Sequence, residues 1–142
     1  MIYIGSDHAG FKLKEKIRQY LTKKRIDWED LGTHSDKKKV DYPDFAKLVA
    51  KKTVKTNSLG ILICGSAIGM TIAANKIKGA RAFQAYDKYT AIHGRENDHT
   101  NIICLRGNKS PDSQIKILEY WLKAKPLNEA RFLRRVKKVN AL

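Results

Sequence analysis

The stretch that most constrains this chain is Leu59-Gly-Ile-Leu-Ile-Cys64, an unbroken apolar run that passes straight into Gly65-Ser-Ala-Ile-Gly69. A strand with no polar side must be covered on both faces, as in a parallel sheet sandwiched between helices. A hairpin-built sheet with one wet face would alternate instead.

The flanking sequence repeats that βα logic. Tyr3-Ile4 reads as a first strand, and Leu13, Ile17, Tyr20 and Leu21 fall at helical spacing behind it. Ile26 to Leu31 suits a second strand. After a loop over 32–43, Phe45, Leu48 and Val49 mark a helix that runs to about Lys55, with Pro43 in its first turn. Beyond the central strand the pattern predicts a helix from Met70 to about Ile77, a strand over 80–85, a helix over 87–96 and a strand over 101–105. Ile115, Leu118, Trp121 and Leu122 form another helical face, Pro126 breaks it, and a short basic helix over 129–139 closes the chain. No repeat or linker divides the sequence, so residues 1–142 are expected to form one α/β domain, a three-layer Rossmann-like fold with a five-stranded parallel sheet.

Charge raises a second possibility. With 29 Lys+Arg against 14 Asp+Glu the chain carries +15, a balance that attracts phosphates, nucleic acid included. Net charge alone specifies neither fold nor chemistry. Much of it falls on predicted solvent faces, at Lys12, Lys14, Lys16, Lys23 and Lys24 of the first helix and Lys51, Lys52 and Lys55 of the second. A content of 42% hydrophobic residues excludes wholesale disorder. No apolar run approaches the ~18 residues of a membrane span, and Met1-Ile-Tyr-Ile lacks a leader pattern, so a cytoplasmic protein with Cys64 and Cys104 as free thiols is expected.

Ligands of such sheets gather beyond the carboxyl ends of the strands. Asp7-His8, set between Gly5 and Gly10 before a helix, serves either to cap that helix or to handle a proton or anion. Cys64-Gly-Ser66-Ala-Ile-Gly69 puts a thiol at a strand tip, followed by a turn whose backbone N–H groups can cradle an oxyanion; the alternative is an inert buried cysteine. Its glycine spacing matches no nucleotide loop. The polar run Arg95 to Asn101 is a site or a solvated loop, and Arg131, Arg134 and Arg135 form a phosphate clamp or a wet helix face.

Asp7-His8-Ala-Gly-Phe11-Lys-Leu-Lys, Asp41-Tyr42-Pro43, Gly60-Ile-Leu-Ile-Cys64-Gly, Gly69-Met-Thr-Ile-Ala-Ala-Asn75-Lys76 and Arg131-x-x-x-Arg135-Val136 occur in this order across nearly the whole chain. Together they resemble the ribose-5-phosphate isomerase B family, which includes the galactose-6-phosphate isomerase subunits. The resemblance implies a homodimer or a dimer of dimers with active sites between subunits, no metal or organic cofactor, and aldose-ketose isomerisation of D-ribose 5-phosphate through an enediolate. By the same resemblance Cys64 is the carbon base and Ser66 keeps the hydroxyl of a family threonine. The backbone of Gly65, Ser66, Ala67, Ile68, Gly69 and Met70 forms the anion hole. Asp7, Tyr42 and Asn101 meet the sugar, and His8 holds the phosphate with Arg131 and Arg135 of the partner.

Four positions depart from the family pattern. Asn97 stands where the ring-opening histidine belongs, leaving His99 as its substitute. Ala67 replaces a glycine, adding a Cβ where close backbone approach or a positive φ is needed. Phe132 sits where a phosphate-facing histidine is common, and Lys109 stands in for an arginine after the fifth strand. A six-carbon substrate such as allose 6-phosphate, or a non-catalytic homologue that binds phosphosugar or nucleic acid, are the alternative functions.

Overall fold

The computed structural model describes residues 1–142. Five parallel strands, β1 (Ile2–Ser6), β2 (Trp28–Asp30), β3 (Leu59–Cys64), β4 (Ala82–Gln84) and β5 (Ile102–Arg106), lie in the order β2-β1-β3-β5-β4. The apolar run is therefore the middle strand of the sheet, as expected. Between the strands run α1 (Phe11–Lys23), α2 (Tyr42–Lys55), α3 (Ile68–Ala74) and α4 (Lys88–Glu96), and α5 (Pro111–Lys123) and α6 (Ala130–Asn140) follow β5.

Side-chain alternation divides the core in two. Ile4, Ile61, Ile63, Ile103 and Leu105 pack against Leu13, Ile17 and Leu21 of α1 and Leu118 and Trp121 of α5. On the other face Leu62, Cys64, Ile102 and Cys104 meet Ala46, Val49 and Ala50 of α2 and Met70 and Ala74 of α3. The small residues of α2 let it lie close, and Leu48, expected on its inner face, points outward at 51% exposure.

The first helix holds a larger correction. Lys14, expected in solvent, is fully buried, and its Nζ donates to Asp30 at 2.6 and 2.7 Å and to the Thr33 carbonyl at 2.6 Å. Burial lowers its pKa, while the bond and charge of Asp30 oppose that shift. A buried ammonium survives only with such partners. Helical periodicity could not show this, because position 14 lies beside Leu13 and Ile17 on the edge of the apolar stripe.

Candidate active site

The carboxyl ends of β1, β3 and β5 are tied into one rigid rim. The Asp7 N–H donates to the Ile63 carbonyl at 3.2 Å, and the N–H groups of Gly107 and Asn108 donate to the carbonyls of Cys64 and Gly65 at 2.8 and 3.2 Å. Asp7 is buried, and its Oδ1 accepts the Gly10 N–H at 3.0 Å. This closes the turn ahead of α1 and occupies one carboxylate oxygen. His8 Nδ1 accepts the Val40 N–H at 3.2 Å. A neutral ring that accepts at Nδ1 carries its proton on Nε2, which leaves that nitrogen as a donor for a ligand.

Cys64 ends β3 at 4% exposure. The turn behind it is held by the Ser66 hydroxyl, which accepts the Ile68 N–H at 3.2 Å, and by Gln84 Nε2, which donates to the Ser66 carbonyl at 3.1 Å. Ala67 has φ 68°, the left-handed conformation in which the resemblance expects glycine. For an L residue this costs about 1–2 kcal/mol. The return is an outward-facing backbone: the N–H groups of Gly65, Ser66, Ala67, Gly69 and Met70 donate to no backbone carbonyl. Consecutive free amides at the start of a helix form a site for negative charge. Tyr42, the first residue of α2, lies over Gly69 so closely that a Cβ there would fall 2.6 Å from its ring. The loop before α2 thus brings Tyr42 to this turn.

Cys104, two residues from the end of β5, provides a contrast within the same face. Full burial pushes its thiol up to about 12, against a weaker opposing bond from Thr71. Its burial disfavours the reactive thiolate, and it forms no disulfide with Cys64.

The other expected site residues lie at the opposite end of the sheet. Ile102 pairs with Gly60, four residues ahead of Cys64, so Asn101 is some 16 Å from the thiol along the strands. The Asn101 amide donates to the Gly79 carbonyl at 2.9 Å and accepts the Arg81 N–H at 2.8 Å. Within its own protomer it fastens the approach to β4, away from the Cys64 turn. His99, with φ 49°, places Nε2 2.9 Å from the Leu127 carbonyl, and its own carbonyl accepts from Arg81 Nε at 3.0 Å. Within one protomer this imidazole cannot reach the Cys64 turn. Asn97 caps the end of α4 through its N–H to the His93 carbonyl at 2.9 Å.

Arg135 shares a cavity of about 510 Å³ with Asn75, Arg81, Asp98, Val136 and Asn140 at this same end. Arg131 is exposed and pairs with Glu129 at 3.0 Å. Phe132, at the position where the resemblance puts a phosphate-facing histidine, is buried at 4% exposure beneath the Arg131 guanidinium. Lys109 is exposed beyond β5. Arg106 is the register partner of Cys64 on β5, and motif reasoning overlooked it together with Gln84.

A parallel α/β sheet with a thiol and a turn of free backbone amides at its carboxyl edge can support acid-base chemistry on a small anionic substrate. The ribose/galactose isomerase family model matches residues 2–139, and the chain belongs to this family. It is 40% identical over 124 residues to a ribose-5-phosphate isomerase B of Listeria innocua, covering 85% of this chain and 82% of that one. Among solved structures, the ribose-5-phosphate isomerase B of Mycoplasma genitalium, described with bound ribulose-5-phosphate, shares 40% identity at a TM-score of 0.93, covering 99% of this chain and 93% of the other. The Thermotoga maritima ribose 5-phosphate isomerase gives 38% identity and a TM-score of 0.93, with 99% and 97% covered. No helix is long and apolar enough to cross a membrane.

Proposed function

We propose that this chain interconverts D-ribose 5-phosphate and D-ribulose 5-phosphate, and that it does so as a homodimer. The observation that carries the reading is the pairing of Cys64 with five free backbone N–H groups in one turn. A base beside a preformed oxyanion site is what an enediolate intermediate requires. The Cys64 thiolate takes the proton from C2 of the open-chain aldose. The electron pair moves into the C1–C2 bond, and the carbonyl oxygen becomes an alkoxide held by Gly65, Ser66, Ala67, Gly69 and Met70. Return of the proton to C1, with transfer of the O2 proton to the O1 alkoxide, yields the ketose.

Asp7 and Tyr42 position the sugar hydroxyls and His8 Nε2 donates to the phosphate. Arg131 and Arg135 come from a second copy, because their own protomer holds them at the far end of the sheet. His99 and Asn97 reach this substrate only by the same route. Ring opening is the step that the departure at Asn97 weakens. Ribulose 5-phosphate, with its O5 esterified, cannot close a five-membered ring and needs no opening.

A coupled assay tests the reading on ribose 5-phosphate, ribulose 5-phosphate and allose 6-phosphate. Turnover of both pentoses, faster from the ketose side and with the hexose far behind, is expected. A preference for allose 6-phosphate replaces the substrate, and no turnover of any of them overturns the isomerase.

A further inference from the structure

The sheet register sets one unused cation against the thiol. Arg106, the last residue of β5, pairs with Cys64, and neighbouring strands run about 4.8 Å apart. Ile102 and Cys104 enter the α2/α3 core while Ile103 and Leu105 enter the other. Alternation therefore sends the Arg106 side chain to the face that carries Cys64.

Its backbone is fixed. The Arg106 N–H donates to Gln114 Oε1 at 2.9 Å, and the next residue is bonded to the Cys64 carbonyl. Its side chain is left without a partner: Arg106 belongs to none of the ion pairs, and its Nε is buried with no acceptor. A half-buried guanidinium with an unmet donor is unfavourable for the protein alone. It becomes favourable when negative charge arrives beside Cys64.

We propose that Arg106 is an electrostatic residue of the isomerisation, donating to the enediolate oxygen that forms next to Cys64. The proposal rests on the function argued above and adds to it a side-chain donor. When the C2–H bond breaks and the S–H bond forms, the electron pair leaves a full charge on the former carbonyl oxygen. The guanidinium then gains an acceptor that the neutral carbonyl of the substrate did not offer in the same strength. Such an interaction acts on kcat more than on KM.

Arg106→Gln and Arg106→Lys are compared with wild type in turnover and in calorimetric binding of two ligands. One is a phosphorylated hydroxamate, planar and anionic at the reacting carbons; the other is ribitol 5-phosphate, which has the phosphate but no such group. Arg106→Gln is expected to lose roughly 10²-fold in kcat with KM nearly unchanged. It should bind the hydroxamate at least about tenfold more weakly and ribitol 5-phosphate within about twofold of wild type, with Arg106→Lys between. The melting temperature should hold, because the side chain bonds to nothing in the protein. Equal loss of both ligands would mark a phosphate contact and overturn the proposal, as would no change in either. A wild type that turns over no sugar phosphate refutes the underlying function instead, whatever Arg106 does.

Discussion

The two ends of the sheet carry similar polar residues and use them in opposite ways. At the amino end Asn101 spends its amide on Gly79 and Arg81, Asn75 on both backbone groups of Ala82, and Arg95 on the Thr100 carbonyl. Those side chains replace missing ladder bonds where β4 is only three residues long. At the carboxyl end the backbone is strained at Ala67, five turn amides are free, and Asp7, His8 and Arg106 each keep an open polar atom or a side chain without a partner. Satisfied polar groups stabilise, whereas unsatisfied ones cost stability and mark where a ligand completes the structure.

Substitutions at the two ends should therefore separate activity from stability. The largest effect is expected from Cys64→Ala, which should reduce kcat by about 10²- to 10⁴-fold in the coupled assay. Cys104→Ala, on the same face, should leave kcat near wild type, and equal losses would erase the distinction between the two thiols. Asn101→Ala should do the reverse. It leaves the Arg81 N–H without an acceptor and the Gly79 carbonyl with Arg81 Nη1 alone, a loss of about 1–3 kcal/mol that denaturant unfolding should show with kcat per folded enzyme little changed. A collapse of kcat in a stably folded Asn101→Ala would return this residue to the substrate.

A smaller effect sharpens the contrast from the strained end. Ala67→Gly relieves about 1–2 kcal/mol of left-handed strain and gives back part of it through the greater freedom of glycine when unfolded, for a net gain of about 0.5–1 kcal/mol. Thermal unfolding should shift upward by a few degrees. A decrease would mean that the Ala67 Cβ, fully buried against the α2/α3 core, contributes more than its conformation costs.

Periodicity and apolar runs made much of this fold legible. The middle strand matches its expected bounds, and α2 begins one residue before Pro43, as an N-terminal proline allows. A positive φ at Ala67 is one of two reasons, with close backbone approach, for expecting a glycine there, and the structure shows which applies. What could not be read were pairings between residues distant in sequence. The burial of Lys14 depends on Asp30, sixteen positions away. The placement of Arg106 beside Cys64 depends on a register that no local pattern encodes. Asn101 and His99 looked like site residues because polar groups before an apolar strand are unusual, yet their partners Gly79, Arg81 and Leu127 come from other loops. The end of the sheet was legible, because residues that precede a strand of a parallel sheet lie at its amino end and Cys64 ends one at the carboxyl edge; what no motif shows is how the two ends meet in one site, which the proposed second copy answers.

Mixing two crippled variants tests this account most directly. Cys64→Ala damages the carboxyl edge and an Arg131→Ala/Arg135→Ala double variant the amino edge; each alone should be nearly inactive at low substrate. If one site draws on both edges from different protomers, unfolding and refolding an equal mixture should make half the dimers hybrid, each with one intact site. About a quarter of wild-type activity should then return. Activity no higher than the mean of the two variants, in a mixture shown to contain hybrids, would contradict the shared site.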